Sequence, residues 1–371
     1  MTASPGGDGR PQPSARRQRG VIAVAAAVAV AGMLLLVQTL RVPEARPQMT
    51  QAIPFAVLGN SDSHAYHDSV SFPPGSSERG GSNRPVTLQW TEILHRLRPT
   101  ELDQGPWTTV GRSGRAARVA GWIGVHVRTP RKQDFAYNFA VSGARCEHLG
   151  GARGQTAALV HTMRAEPGRW ARGVVVIRIG INDIGTTEVL ADVAASGMTA
   201  EAQRLVSACG EAIDAAVRAI HAVDPRTQIV LVGIDDNANW PPNHAQFRTA
   251  AAMTALTALH DAFDGELQRI AAQDALVRFH DERAWFRALW GGRDSTGVPA
   301  YRTVPVGGLD VGMSQGDDLR HAVIADGHAG TITNALWARG LTTFLHDVCR
   351  VNVKPLSMDE VHAFVRGLRP A

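Results

Sequence analysis

What most constrains the fold of this chain is an alternation, from residue 54 to about 349, of short apolar runs with longer helical patterns. Gly173 to Ile179 is the clearest run. Five of its seven residues are β-branched, the composition of a strand covered on both faces of a sheet. Pro54 to Leu58 and Phe135 to Val141 read as earlier strands, Thr227 to Ile234 and Leu276 to His280 as later ones. Between them lie helical patterns: Val86 to Leu97, a helix starting near Ala144, about Ala200 to Val223, and about His244 to Gln273. After a long loop, Gly330 to Val348 is the last helix. Strand and helix in strict alternation require parallel strands joined by crossover helices. The expected fold is an α/β, three-layer α/β/α sandwich around a mostly parallel five-stranded sheet of flavodoxin-like order.

The amino-terminal region has a different character. Residues 1–20 are rich in Pro, Gly, Ser and Arg and read as a disordered cytoplasmic tail. Arg16, Arg17 and Arg19 precede an uncharged run over 21–40, long enough to span roughly 30 Å of hydrocarbon. With the arginines held inside, the rest of the chain lies outside the membrane. The run is long and no small-x-small site follows it, which predicts an uncleaved transmembrane signal anchor at the cell membrane. Secretion after cleavage is the rival reading. Residues 41–53 form a linker, 54–349 the domain, and 350–371 a carboxyl-terminal tail.

Hydrophobic residues make up 44% of the 371, enough for a sizeable core. The net charge of +4 is nearly all arginine, with only Lys132 and Lys354 as lysines. No basic run interleaved with aromatics occurs in the globular part, which argues against nucleic-acid binding. Cys146, Cys209 and Cys349 form no zinc-ligand spacing. Two of them can pair in an exported protein, or all three can serve as buried apolar groups.

In a doubly wound sheet, ligands bind beyond the carboxyl ends of the strands. Four polar clusters fall there: Gly59-Asn60-Ser61, Ser142-Gly143, Gly180-Ile181-Asn182-Asp183 and, before the last helix, Asp326-Gly327-His328. Singly they read as a turn, a packing glycine, a helix cap and a surface pair. Together they supply the parts of acyl transfer to water. Ser61 is the candidate nucleophile and His328 the base it needs. Asp326 is the candidate for holding the imidazole. The Ser61 and Gly143 N–H groups and the Asn182 amide are candidate oxyanion donors.

These blocks resemble the SGNH/GDSL hydrolase superfamily: Ser61 in VLGNSDS, Gly143 in NFAVSGA, Asn182 in IRIGIND and His328 in ADGHAGT. The resemblance spans 54 to about 349 and implies a metal-free ester hydrolase without a cofactor. Its substrate would be a small-molecule, carbohydrate or lipid ester. An O-acyltransferase on the same scaffold and a non-catalytic envelope carbohydrate-binding protein are the alternatives. Two positions depart from the family pattern. Asn60 stands where Asp is usual, and Asp326 is one residue closer to His328 than the common spacing.

Ser63 is the local rival nucleophile. Asp62, His64, His67 and Asp68 are ligand types, but their spacing matches no zinc pattern and they read as solvated loop residues. Asp235, Asp236, Asn237 and Asn239 follow the fourth strand and either line the site or cap a loop. Arg178, inside a buried strand, either pairs with an acid at the sheet edge or reaches the surface.

Overall fold

The β-branched run at 173–179 forms the centre of the sheet because both of its faces are buried. In a computed structural model of the chain, which describes residues 52–114, 128–294 and 296–368, it is a strand over Val174–Arg178 with every residue buried. The elements up to this strand are β1 (Ile53–Gly59), α1 (Trp90–Leu97), β2 (Leu102–Asp103), β3 (Trp107–Val110), β4 (Lys132–Phe135) and α2 (Gln155–Ala165). The central strand is β5. It is followed by α3 (Ile181–Ile184), α4 (Thr187–Ser196), α5 (Ala200–His221), β6 (Gln228–Val232), α6 (Pro241–His244), α7 (Ala250–Ala271) and β7 (Val277–His280). The last part holds α8 (Glu282–Trp290), β8 (Gly291–Arg293), β9 (Pro299–Tyr301), β10 (Val304–Val306), β11 (Leu309–Gln315), β12 (His321–Val323), α9 (Thr331–Asp347) and α10 (Met358–Leu368).

The main sheet has the order β2-β1-β5-β6-β7, with every pairing parallel. Side chains alternate across it, as the two-residue repeat of a strand demands. Ala56, Leu58, Val175, Ile177, Ile229 and Leu231 join one core with α2, α4, α5 and α7. Phe55, Val57, Val174, Val176, Val230 and Val232 join the other, with α1, α8, α9 and α10. Helices therefore cover both faces, and the carboxyl ends of β1, β5 and β6 share one edge.

The second strand differs from expectation. The ladder in that region is Lys132–Phe135, antiparallel to Trp107–Val110 and outside the main sheet. Residues 137–141 run beside β1 instead. Val57 N donates to Tyr137 O, Phe139 N to Val57 O and Val141 N to Gly59 O, at 2.7–3.1 Å. Asn138 interrupts the apolar pattern there: its buried amide donates to Ser63 O at 2.7 Å and to Asp134. Polar side chains that must reach such partners break the regular ladder.

Two further segments differ. The expected loop after β7 contains α8, the β8–β9 hairpin and a three-stranded β10-β11-β12 sheet. The expected tail at 350–371 contains α10, which buries Val361 and Val365 one helical turn apart. Arg98, nearly buried, donates to both carboxylate oxygens of Glu360 at 2.9 and 3.1 Å. The segment expected to cross the membrane, 21–40, lies outside the described residues. Among the described residues no helix is long and apolar enough to cross a membrane.

Cys146 and Cys209 are joined in a disulfide, leaving Cys349 free and buried. The bond ties the segment after Gly143 to α5. A cross-link over a sequence separation of 63 removes much chain entropy from the unfolded state. Replacing both cysteines by serine should cost about 2–5 kcal/mol of stability. Urea unfolding of the double variant checks this, and an unchanged midpoint would contradict it.

Candidate active site

At the end of β1 the backbone must pass close to β5. A Cβ at Gly59 would stand 2.4 Å from the carbonyl oxygen of Arg178, so only glycine fits. Gln155 then pins this residue from both sides: its Oε1 accepts from Gly59 N at 2.7 Å and its Nε2 donates to Gly59 O at 2.8 Å. The turn that follows is closed by Asn60, whose Oδ1 accepts from Asp62 N at 2.9 Å. This is an Asx turn, which Asn and Asp both form through the same side-chain oxygen. The departure at position 60 therefore leaves the turn intact.

The turn presents Ser61 to a cleft of about 220 Å³, whose lining includes Asn182 and His328. Ser63 points elsewhere. It is fully buried, its Oγ has no hydrogen-bond partner, and it does not line the cleft.

The loop before α9 brings Asp326 onto His328. Gly327 has φ 90°, a left-handed conformation that folds the chain back within one residue. Asp326 Oδ1 consequently lies 2.9 Å from His328 Nδ1 and accepts from His328 N at 3.2 Å. The short Asp-x-His spacing thus still brings carboxylate and imidazole together. Burial works to raise the Asp326 carboxyl. The hydrogen bond from His328, with the charges of His328 and Arg79, outweighs it and holds the group well below the usual carboxylate range. Trp240 Nε1 donates to Gly327 O at 2.7 Å and Tyr66 OH to Ala329 O at 3.0 Å, fixing the loop on both sides.

Asn182 donates to Ala144 O at 3.0 Å, and Asp183 accepts from Cys146 N at 3.0 Å. These bonds attach the turn carrying Gly143 to the end of β5, beside the disulfide. Gly143 has φ 76°, is exposed, and is not among the residues lining the cleft. Ser61, Asn182 and His328 thus share one cavity, Asp326 backs the histidine, and Gly143 stands one residue from the acceptor of Asn182.

Arg178 pairs with acids at the sheet edge. Its Nη2 donates to Asp235 Oδ1 and Glu282 Oε1, both at 2.9 Å, and its Nη1 to Asp62 O at 3.1 Å. The guanidinium lies 4.7 Å over the ring of Trp337, whose Nε1 donates to Glu282 Oε2 at 2.6 Å. Burial raises Glu282 well above its ordinary value; Arg178 opposes this and Asp235 reinforces it. Asp235, Asp236 and Asn237 line the cleft, whereas Asn239 is engaged by Arg293 at 2.7 Å. The four ligand types of residues 62–68 do not converge. His64 pairs with Asp68 at 2.9 Å, His67 faces Glu92 at 2.6 Å, and Asp62 lines the cleft. Arg79 and Glu282 are parts of the site that pattern reading did not single out. No periodicity marks Arg79 in its loop or Glu282 at the start of α8 as acting on partners more than a hundred positions away.

A parallel α/β sheet with a polar cleft at the carboxyl ends of its strands, holding a serine, an asparagine and a carboxylate-backed histidine, is an architecture of ester-hydrolysing enzymes. The chain belongs to the GDSL-like lipase/acylhydrolase family, whose sequence profile matches residues 104–296, more than half of its length. The matched stretch includes Gly143 and Asn182 and leaves Ser61, Asp326 and His328 outside. No curated protein matches the chain significantly. Among solved structures, an extracellular lipase from Streptomyces rimosus is 16% identical, covering 77% of this chain and 100% of its own, with a TM-score of 0.35. Phospholipase A1 from Streptomyces albidoflavus NA297 is 15% identical, covering 67% and 92%, with a TM-score of 0.33.

Proposed function

We propose that this enzyme is an extracytoplasmic serine ester hydrolase that works through Ser61, His328 and Asp326. The observation carrying this reading is that Ser61 and His328 line one cleft while Asp326 lies 2.9 Å from His328 Nδ1. Ser61 Oγ attacks the acyl carbon as His328 Nε2 takes its proton. The Ser61 N–H group and the Asn182 amide, both on residues that line the cleft, receive the developing oxyanion. Collapse breaks the ester bond, and the departing alkoxide takes the proton from His328. Water, deprotonated by the same imidazole, then releases the acid and restores Ser61.

The size and walls of the cleft favour a short acyl chain on a polar alcohol such as a sugar. The cavity is only about 220 Å³, and its lining mixes Trp240, Trp285 and Phe286 with Asp235, Asp236 and Asn237. Aromatic faces stack on apolar ring surfaces, and carboxylates accept from hydroxyls. The disulfide supports an oxidising compartment. It agrees with export directed by the apolar run at 21–40, held as a membrane anchor with residues 54–349 outside.

One experiment tests the activity and its centre together. A fluorophosphonate should label Ser61, mapped by peptide mass spectrometry, and should stop turnover of p-nitrophenyl esters. Before labelling, acetate should be cleaved faster than palmitate. Labelling at Ser63 would reassign the nucleophile, no labelling would point to a binding protein, and preference for palmitate would overturn the short-chain reading.

A further inference from the structure

The loop between β1 and α1 contributes a residue that belongs to none of the four sequence blocks. Arg79 is 3% exposed and lies 247 positions from Asp326. Its backbone is left-handed, with φ 56°, a conformation rare for a residue with a side chain and one its surroundings must hold in place. Its N–H donates to Asp326 Oδ2 at 2.8 Å and its Nη1 to the same oxygen at 2.6 Å. Nη1 also lies 2.8 Å from His328 Nδ1. Nη2 donates to Ser142 Oγ at 3.3 Å, immediately before Gly143. The guanidinium is 4.4 Å from the ring centre of Phe72 and 5.4 Å from that of Tyr66.

We infer that Arg79 is a positioning residue: it clamps Asp326 with two donors, ties that clamp to the turn carrying Gly143, and opposes protonation of His328 by its fixed charge. The inference rests on the reading of Ser61, His328 and Asp326 given above. His328 satisfies one oxygen of Asp326 and Arg79 the other, so the carboxylate cannot rotate away from the imidazole. In the tautomer that can accept a proton from Ser61, Nδ1–H points to Asp326. The Nη1 of Arg79 then meets this N–H without an acceptor between them, and the contact worsens once the ring is cationic. The charged or titratable groups facing His328 are Asp326 on its own turn, Arg79 and Tyr66 from the β1–α1 loop, and Asp62 beside Ser61. The Arg178–Asp235–Glu282 set lies in the wall of the same cleft. Arg79 is the cation at hydrogen-bond distance from Nδ1, which makes it the main opponent of the imidazolium.

The test is the pH profile of kcat/KM for a p-nitrophenyl ester, measured on the full chain and on Arg79→Lys and Arg79→Gln. The Gln variant should move the acid limb upward by about one pH unit, as expected on losing a cation this near. Its plateau should fall about tenfold as Asp326 loosens. The Lys variant, which keeps the charge, should leave the limb where the parent has it. A folded Gln variant with the parental acid limb overturns the inference, and so does a Lys variant shifted as far as Gln. If Gln does not fold, Arg79→Gly suits the left-handed backbone. It should show the same upward shift, reversed by millimolar guanidinium; a parental limb in that variant overturns the inference equally. Retained turnover in Ser61→Ala would instead reject the underlying site reading and is measured separately.

Discussion

Ser61→Ala should lower kcat for a p-nitrophenyl ester by a factor on the order of 10⁴–10⁶ while leaving the circular dichroism spectrum unchanged. Losses of that size follow from removing a nucleophile whose base and oxyanion donors then have nothing to act on. The fold should survive because Ser61 is held through its backbone: its carbonyl accepts from Gln89 Nε2 at 3.2 Å, and the turn is closed by Asn60. Ser63→Ala is the control. That hydroxyl is fully buried and unpartnered, so its removal relieves an unsatisfied polar group instead of disarming a site. Turnover in Ser63→Ala should stay within about threefold of the parent. Stopped assays on both variants, with probe labelling as a count of active sites, check the pair. Equal losses in both would mean that the turn, and not one hydroxyl, sets the rate.

That a serine could be singled out at all follows from where strands end. β1, β5 and β6 were legible because their side chains are buried on both faces, so each reads as a nearly unbroken apolar run. Once those runs are parallel, their carboxyl ends must share an edge. Ser61 and Asn182 therefore become neighbours by topology, without a contact having been read from sequence. The elements that escaped obey weaker rules. β8 to β12 are mostly three residues long, and 137–141 borrows its backbone partners from β1 around a polar Asn138. The Cys146–Cys209 pairing depends on the packing of α5, which the spacing of three cysteines does not encode. Arg79 is the extreme case: a loop residue whose partners, Asp326 and His328, lie nearly 250 positions away. What sequence pattern conveys is the scaffold and the side chains fixed at its strand ends; what it omits are the groups that reach in from loops.

Asp326→Asn carries the second large effect, because it changes which nitrogen of His328 bears the proton. In the proposed mechanism Asp326 Oδ1, 2.9 Å from Nδ1, accepts from Nδ1–H and leaves the Nε2 lone pair for Ser61. An asparagine can turn its NH₂ to the ring and donate to Nδ1. Arg79 Nη1, 2.8 Å from the same nitrogen, would reinforce that choice. Both donors favour the tautomer with the proton on Nε2, which cannot take one from Ser61. The expected loss in kcat at neutral pH is on the order of 10³–10⁴, with KM little changed. Stability should respond in a way that identifies the same carboxylate. Its folded value is depressed, since the His328 hydrogen bond and the nearby positive charges outweigh burial. Its stabilising contribution is therefore fully present above the unfolded carboxylate value of about 3.9. It is lost as pH falls below that value and through the depressed folded one. The parent should lose stability on acidification below about pH 4 more steeply than Asp326→Asn, which has no group to titrate there. Asp183 and Asp264, whose values are raised by burial, titrate in both proteins and drop out of the difference. Urea unfolding of parent and variant from pH 7 to pH 3 measures that difference. Parallel curves together with undiminished turnover would mean that the imidazole is held by another acceptor and that Asp326 only caps its turn.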